Sequence, residues 1–151
     1  MLSVGTPFPS FSLPDQDGNT FSQEDLKGSK TVIYFYPKDD TPGCTVEACE
    51  FQAKLEEVPG AKVFGVSPDS IKKHRKFADK FGLTFPLLAD TERQLIDACG
   101  LWIEKSFMGK KYMGVDRTTY VLDDQGNIIK VFEKVNPNGH AAEIMQFLSQ
   151  V

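Results

Sequence analysis

Cysteine is scarce in this sequence, and long apolar runs are missing. The chain has three cysteines in 151 residues, an odd number and too few for the disulfide framework of a small secreted protein. We therefore expect a reducing compartment, the cytoplasm, in which any disulfide is transient. No stretch of about 18 apolar residues occurs, and no charged-then-apolar leader opens the chain, so neither a membrane span nor a secretion signal is predicted.

A concentrated basic surface is also missing. The chain carries 17 basic and 21 acidic residues and a net charge of −4, whereas phosphate binding needs clustered positive charge. The densest basic group follows a helical apolar pattern and is predicted to be a solvent-exposed helix face; it consists of Lys72, Lys73, Arg75 and Lys76. Nucleic acid is therefore not an expected partner.

The order of the apolar segments indicates an α/β protein with one domain over residues 1–151. The run from Thr31 to Tyr36 is β-branched and aromatic, which is typical of a central strand covered on both faces. Ser67-Pro68 is predicted to start a helix, and residues 101–114 are predicted to be an irregular loop. The whole order of elements predicts a thioredoxin-like fold with a mixed central sheet, flanking helices and an N-terminal extension.

The chemistry is concentrated in the turn after that central strand. Thr41 is a good helix N-cap and Pro42 suits the first helical position, so Cys44 falls at the third position of the helix. The unpaired N–H groups and the partial positive charge at a helix N-terminus favour a thiolate over a thiol. A thiolate at neutral pH is a nucleophile.

Three carboxylates would act against the thiolate if they lay near the sulfur, namely Asp39, Asp40 and Glu47. A cation is therefore expected beside the sulfur. Lys38 is local but flexible; Arg117 is the better candidate, because its planar fork can bind the sulfur and a bound oxygen together.

The second cysteine, Cys49, follows five positions after Cys44. On an ideal helix this spacing puts the two Cα atoms about 8.7 Å apart and about 140° round the axis, whereas a disulfide rarely tolerates more than about 7 Å. The two thiols are expected to meet only if the first turns of the helix unwind. Cys44 lies on the apolar stripe of that helix and is predicted to point inward, while Cys49 lies off the stripe.

Other reactive or aromatic side chains are interpreted as structural. Cys99 is predicted to be a small buried hydrophobe. His74 and His140 are predicted to be solvent-facing or capping residues, because neither has a partner at metal or base spacing. Three aromatic residues in the 101–114 segment are predicted to pack rather than to bind substrate, although they could wall an entrance; they are Trp102, Phe107 and Tyr112.

The run from Pro37 to Cys44, with its proline, threonine and cysteine at fixed spacing, resembles the peroxiredoxin signature. Its continuation to Cys49 is similar to the bacterioferritin comigratory protein or peroxiredoxin Q subfamily, in which the resolving cysteine lies five residues after the peroxidatic one. The similarity extends over essentially the whole chain; it includes Phe11 to Asp15, Tyr34 to Pro37, Glu104 to Lys110, and Arg117.

This resemblance implies a thiol-dependent peroxidase. Cys44 would attack a peroxide and become a sulfenic acid, and Cys49 would condense with it to an intramolecular disulfide. Thioredoxin or a similar dithiol would reduce that disulfide. The family also implies no cofactor, no metal and a monomer.

The resemblance assigns supporting roles to five further positions. Thr41 would hydrogen-bond the thiolate and the peroxide, and Arg117 would stabilise the thiolate and the charge on the leaving oxygen. Pro37 would shield the pocket, and the backbone N–H groups of Gly43 and Cys44 would complete the site. Glu47 would orient the arginine.

Two other functions stay open at this point. A protein thiol–disulfide oxidoreductase fits the fold, although that chemistry commonly uses Cys-x-x-Cys, and four residues separate Cys44 from Cys49. A metal-binding or redox-sensing module would use the same two thiols and a histidine. The preferred peroxide is also open, since hydrogen peroxide and small alkyl hydroperoxides would both fit a shallow pocket.

Overall fold

A five-stranded mixed sheet forms the centre of the molecule in the computed structural model, which describes residues 2–151. The strands lie in the order β5-β4-β3-β8-β9; β3, β4 and β5 are parallel, and β8 runs antiparallel to both of its neighbours, β3 and β9. The remaining four strands form two small two-stranded sheets, β1–β2 and β6–β7. The strands are β1 Ser12–Pro14, β2 Thr20–Ser22, β3 Thr31–Phe35, β4 Lys62–Ser67, β5 Leu87–Ala89, β6 Trp102–Phe107, β7 Lys110–Val115, β8 Thr118–Leu122 and β9 Ile128–Phe132.

Four α-helices and one short 3-10 helix, Gln23–Leu26, accompany the sheets. The α-helices are α1 Pro42–Lys54, α2 Ile71–Phe81, α3 Gln94–Ala98 and α4 His140–Ser149. The predicted α/β class, with a mixed central sheet and flanking helices, is confirmed. Within residues 2–151, no helix has the length and apolar character needed to cross a bilayer.

Strand β3 organises the core because it is the middle strand and all five of its residues are buried. Its alternate side chains point to opposite faces of the sheet. Tyr34 packs in one apolar cluster with α1, α2 and α4, while Phe35 packs in another with α3 and the N-terminal segment. The cluster around Tyr34 contains Cys44, so this thiol is part of the core.

The predicted loop over residues 101–114 is wrong, because β6 and β7 pair there as an antiparallel hairpin. Its tip, Met108-Gly109, has positive φ at both residues, 52° and 80°, which is the geometry of a tight hairpin turn. The hairpin escaped prediction because much of it is exposed and it lacks the Asn-Gly or Asp-Gly signal. Phe107 is 68% and Tyr112 50% exposed, so the expectation that these two rings pack is also wrong, whereas Trp102 is partly buried against the core.

Two further expectations need correction. Helix α2 begins at Ile71 and not after Ser67-Pro68, because Ser70 is the residue whose hydroxyl accepts the N–H of Lys73 at 3.2 Å. His74 and His140 are buried, at 0% and 3% exposure, and not solvent-facing. Each ring has a hydrogen-bonding partner on both nitrogens, which is what allows an imidazole to be buried.

Candidate active site

Cys44 lies in the first turn of α1, directly after the turn that leaves β3. The helix begins at Pro42, with Thr41 at the N-cap, so Cys44 occupies the third helical position. The side chain is 1% exposed. The sulfur is thus held at a helix end, where N–H groups lack intrahelical partners.

Thr41 caps this helix through its backbone and not through its side chain. Its carbonyl accepts the N–H of Thr45 at 2.8 Å, whereas its hydroxyl donates to the carbonyl of Lys38 at 3.0 Å. Since that bond uses the hydroxyl proton, the oxygen lone pairs of Thr41 can accept a further hydrogen bond.

Arg117 supplies the cation beside the sulfur. It immediately precedes β8, whose first residue, Thr118, pairs with Phe35 at the end of β3. This register brings the arginine to the same edge of the sheet as the cysteine turn. Its Nη2 donates to Cys44 Sγ at 2.9 Å.

The other arm of the guanidinium holds Glu47. Arg117 Nη1 donates to Glu47 Oε1 at 3.2 Å, and the glutamate is 1% exposed. Burial raises the pKa of Glu47 to about 7; Arg117 acts in the opposite direction, and the charge of Glu50 adds to the increase. The buried carboxyl therefore titrates near neutral pH while it fixes the orientation of the guanidinium.

Gly43 leaves room for this arrangement. A Cβ atom at that position would lie 3.1 Å from Arg117 Nη2 and 3.2 Å from the ring Cγ of Pro137. Both contacts are tighter than side chains normally tolerate, so a larger residue would press on the guanidinium. Pro37, at the start of the turn, is partly buried.

Cys49 is on the same unbroken helix as Cys44 and is partly exposed. Burial raises the pKa of its thiol. Cys99 is completely buried, and burial, with a smaller effect of Asp90, raises the pKa of that thiol to about 12. All three cysteines are free thiols.

Lys105 is a second cation near the site that the sequence did not reveal. It lies on β6 opposite Tyr112, and its stem passes over Gly114. Burial lowers the pKa of Lys105, and the charge of Arg117 lowers it further, while Asp116 and Cys44 act in the opposite direction. Its position depends on the β6–β7 hairpin, which the sequence did not predict. The local lysine, Lys38, is exposed.

The described residues offer no metal centre: within 2–151, no group of three or more His, Cys, Asp or Glu side chains is arranged to hold an ion. The geometry brings together a buried thiol, a helix N-terminus and an arginine. This set suits attack on an electrophile whose leaving atom takes up negative charge.

Comparison with known proteins identifies the family. The model of the AhpC/TSA family matches residues 4–131. The chain belongs to the AhpC/TSA family. Curated relatives of this AhpC/TSA protein carry the name peroxiredoxin Bcp. The putative peroxiredoxin from Coxiella burnetii is 44% identical over 146 residues, covering 95% of this chain and 97% of the relative. Peroxiredoxin Bcp from Bacillus subtilis is 43% identical over 152 residues, covering 99% and 97%.

Solved structures agree with this assignment. The bacterioferritin comigratory protein of Xanthomonas campestris superposes with a TM-score of 0.90 at 36% identity, covering 98% of both chains. A cysteine-to-serine mutant of PrxQ from Xylella fastidiosa gives a TM-score of 0.93 at 31% identity, covering 99% of this chain and 97% of the other. The resemblance to the Bcp and peroxiredoxin Q group is confirmed, and the AhpC/TSA protein is a thiol-dependent peroxidase.

Proposed function

We propose that Cys44 is the peroxidatic cysteine and that Arg117 is the cation that activates it. The observation that carries this proposal is the 2.9 Å contact between Arg117 Nη2 and Cys44 Sγ at the N-terminus of α1. A cation and a helix end both stabilise a thiolate. Neither Cys49 nor Cys99 lies at a helix N-terminus, and burial raises the pKa of both thiols.

The first chemical step is a displacement at oxygen. The Cys44 thiolate attacks the oxygen of a peroxide, ROOH, that carries the proton. An S–O bond forms and the O–O bond breaks, which leaves a sulfenic acid on Cys44 and an alkoxide that takes a proton to become ROH. Arg117 stabilises the negative charge as it moves from sulfur to the leaving oxygen.

The neighbouring residues orient the peroxide. Thr41 accepts the peroxide O–H, because its own proton is donated to Lys38. The backbone N–H of Gly43 adds a donor, and Pro37 shields the pocket from water. Glu47 holds the guanidinium through its 3.2 Å bond to Arg117.

Cys49 then resolves the sulfenic acid. Its thiol attacks the Cys44 sulfur, an S–S bond forms, and one water is released. Because the two residues lie on one continuous helix, the first turns of α1 unwind to let the sulfurs meet. Thioredoxin or a similar dithiol reduces the disulfide and restores both thiols.

The substrates we propose are hydrogen peroxide and small organic hydroperoxides. The Xanthomonas campestris relative is described in terms of alkyl peroxide reduction, which supports the organic class. We further propose that residues 1–151 act as one domain and as a monomer, since an intramolecular disulfide needs no second subunit. The low cysteine content favours the reducing cytoplasm.

The test is to add one equivalent of hydrogen peroxide to fully reduced protein at neutral pH, to block free thiols within a second, and to map the peptides by mass spectrometry. We expect a Cys44–Cys49 disulfide and a free Cys99. The Cys49→Ser variant should instead retain a sulfenic acid on Cys44, and Cys99→Ser should behave as the unaltered protein. Unmodified Cys44 would contradict the peroxidatic assignment, and a disulfide between two chains would contradict the intramolecular mechanism.

A further inference from the structure

His74 forms a buried pair with Asp39 that links α2 to the turn before Cys44. His74 Nδ1 lies 2.6 Å from Asp39 Oδ2, and the two side chains are 0% and 6% exposed. Asp39 is two residues before Thr41. A histidine in the second turn of α2 therefore reaches the segment that precedes the reactive cysteine.

The hydrogen-bonding roles in this pair are determined by its surroundings. His74 Nε2 faces the carbonyl of Leu88 at 3.1 Å, and a carbonyl can only accept, so Nε2 carries a proton. A second proton lies between Nδ1 and the Asp39 carboxyl group. The hydroxyl of Tyr36 donates to the other carboxyl oxygen of Asp39 at 2.6 Å, so neither oxygen is without a partner.

One peptide group connects this buried pair to Thr41. The N–H of Asp39 donates to Asp69 Oδ2 at 2.6 Å, and the carbonyl of the same peptide, that of Lys38, accepts the hydroxyl of Thr41 at 3.0 Å. Any movement of Asp39 therefore moves the acceptor that orients the Thr41 hydroxyl.

The backbone conformation of the next residue, Asp40, is a second feature of this turn that the bond between His74 and Asp39 helps to hold. Asp40 has a φ of 55°, in the left-handed region that is uncommon for residues other than glycine, although aspartate adopts it more readily than most. Its side chain is paired at the surface with Lys80 of α2, at 2.9 Å. The turn is thus attached to α2 twice, by the buried His74 bond and by an exposed ion pair.

We propose that His74 is a positioning residue for peroxide reduction: through Asp39 and the Lys38–Asp39 peptide, it holds the Thr41 hydroxyl where a peroxide binds. The inference rests on the proposed function of Cys44 and Thr41. His74 touches neither the sulfur nor the peroxide, so it acts on the alignment of the peroxide and not on the thiolate.

The experiment compares two reactions of Cys44 in the full-length reduced protein, oxidation by hydrogen peroxide and alkylation by iodoacetamide. Alkylation requires the thiolate but no aligned O–O bond. In His74→Leu we expect oxidation to slow by at least about tenfold, while alkylation changes by less than about twofold. His74→Asn keeps an amide donor near the Nδ1 position and should restore most of the oxidation rate. The control Lys80→Gln removes the exposed pair on the same turn and should change either rate by less than about twofold.

Removal of one partner of a buried pair leaves the other charge uncompensated. Should His74→Leu not fold, the double variant Asp39→Asn, His74→Leu removes both charges of this pair, and the same selective loss is expected from it. Equal losses in both reactions, an unchanged oxidation rate, or a His74→Asn variant as slow as His74→Leu would each overturn the role of His74. If Cys44 of the unaltered protein does not react with peroxide at all, the proposed function itself fails.

Discussion

Arg117 and Cys44 are 73 positions apart in the sequence, yet the guanidinium Nη2 lies 2.9 Å from the sulfur. The antiparallel pairing of β8 with β3 produces this contact, because it puts the start of β8 beside the end of β3. The cation is therefore supplied by the sheet and the N–H groups by the helix. Both act on one atom, and the reactivity of Cys44 should depend on each.

The first prediction concerns Arg117. Arg117→Ala removes the guanidinium that donates to the sulfur and stabilises the negative charge on the leaving oxygen. The rate constant for Cys44 oxidation should therefore fall by about 100-fold or more. Arg117→Lys keeps the charge but loses the planar fork, and its oxidation rate should lie between those of Arg117→Ala and the unaltered protein. Stopped-flow or rapid-quench oxidation measures both.

Arg75→Ala is the matched control, because Arg75 pairs at the surface with Asp17 and Asp79. It should leave the rate within about twofold of the unaltered protein. An Arg117→Ala variant that is oxidised at the unaltered rate would mean that the helix end alone activates the thiol.

Glu47 should make the stability of the fold depend on pH. The pKa of the buried carboxyl is raised to about 7 in the folded protein, from an ordinary value of 4.5. A carboxyl group whose pKa is raised by folding stabilises the fold while it is protonated. This stabilisation is complete below the pKa of the group in the unfolded chain, and it is lost as the pH rises through the pKa in the folded protein. Between about pH 4.5 and pH 7.5, the free energy of unfolding should therefore decrease by an amount on the order of 3 kcal/mol.

Glu47→Gln should remove most of this decrease. Urea unfolding at several pH values measures it, and both proteins should carry Cys44→Ser so that the thiol makes no contribution. A decrease of equal size in the presence and absence of Glu47 would assign the pH dependence to other groups.

Gly43 should be required for the position of the guanidinium. In Gly43→Ala the new methyl group would meet Arg117 Nη2 at 3.1 Å and the stiff ring of Pro137 at 3.2 Å, so the flexible guanidinium is the group that moves. Cys44 oxidation should slow by about tenfold, whereas stability should change little because alanine favours a helix. Val46→Ala, an exposed position in the same turn, is the control. Equal oxidation rates in all three proteins would show that Gly43 tolerates a side chain.

Cys99 should be inert in the folded protein. Burial raises the pKa of its thiol to about 12, so almost no thiolate exists at neutral pH. Iodoacetamide should modify Cys44 and leave Cys99 unlabelled until a denaturant is added, and Cys99→Ala should retain the peroxidase rate within about twofold. Labelling of native Cys99 at a rate similar to that of Cys44 would contradict its burial.

The parts of this fold that were predictable are those in which a local pattern determines structure. The buried run from Thr31 to Tyr36 identifies the central strand, and the Thr41-Pro42 signal identifies the start of α1. The β6–β7 hairpin was missed because its exposed strands carry no clear alternation. Its position also places Lys105, which no local pattern could predict.

The site residues also divide into those that a local sequence pattern predicts and those that only long-range packing determines. The spacing from Thr41 to Cys49 is local and can be read directly from the sequence. The contact of His74 with Asp39 depends on how α2 packs against the end of β3, and a polar histidine between two lysines and an arginine gives no sign of it. Long-range packing, and not residue type, decides that this histidine is buried.

The spacing of Cys44 and Cys49 leads to the last prediction. On a continuous helix their Cα atoms are about 8.7 Å apart, beyond the reach of a disulfide at about 7 Å. Circular dichroism of the peroxide-oxidised protein should therefore show less helix than the reduced protein, by roughly two turns of α1, and dithiol reduction should restore it. Cys49→Ser cannot form the bond and should keep its helix content after the same treatment. Equal helix content in the reduced and disulfide forms would mean that the sulfurs meet without unwinding, and the proposed resolving step would then need another path.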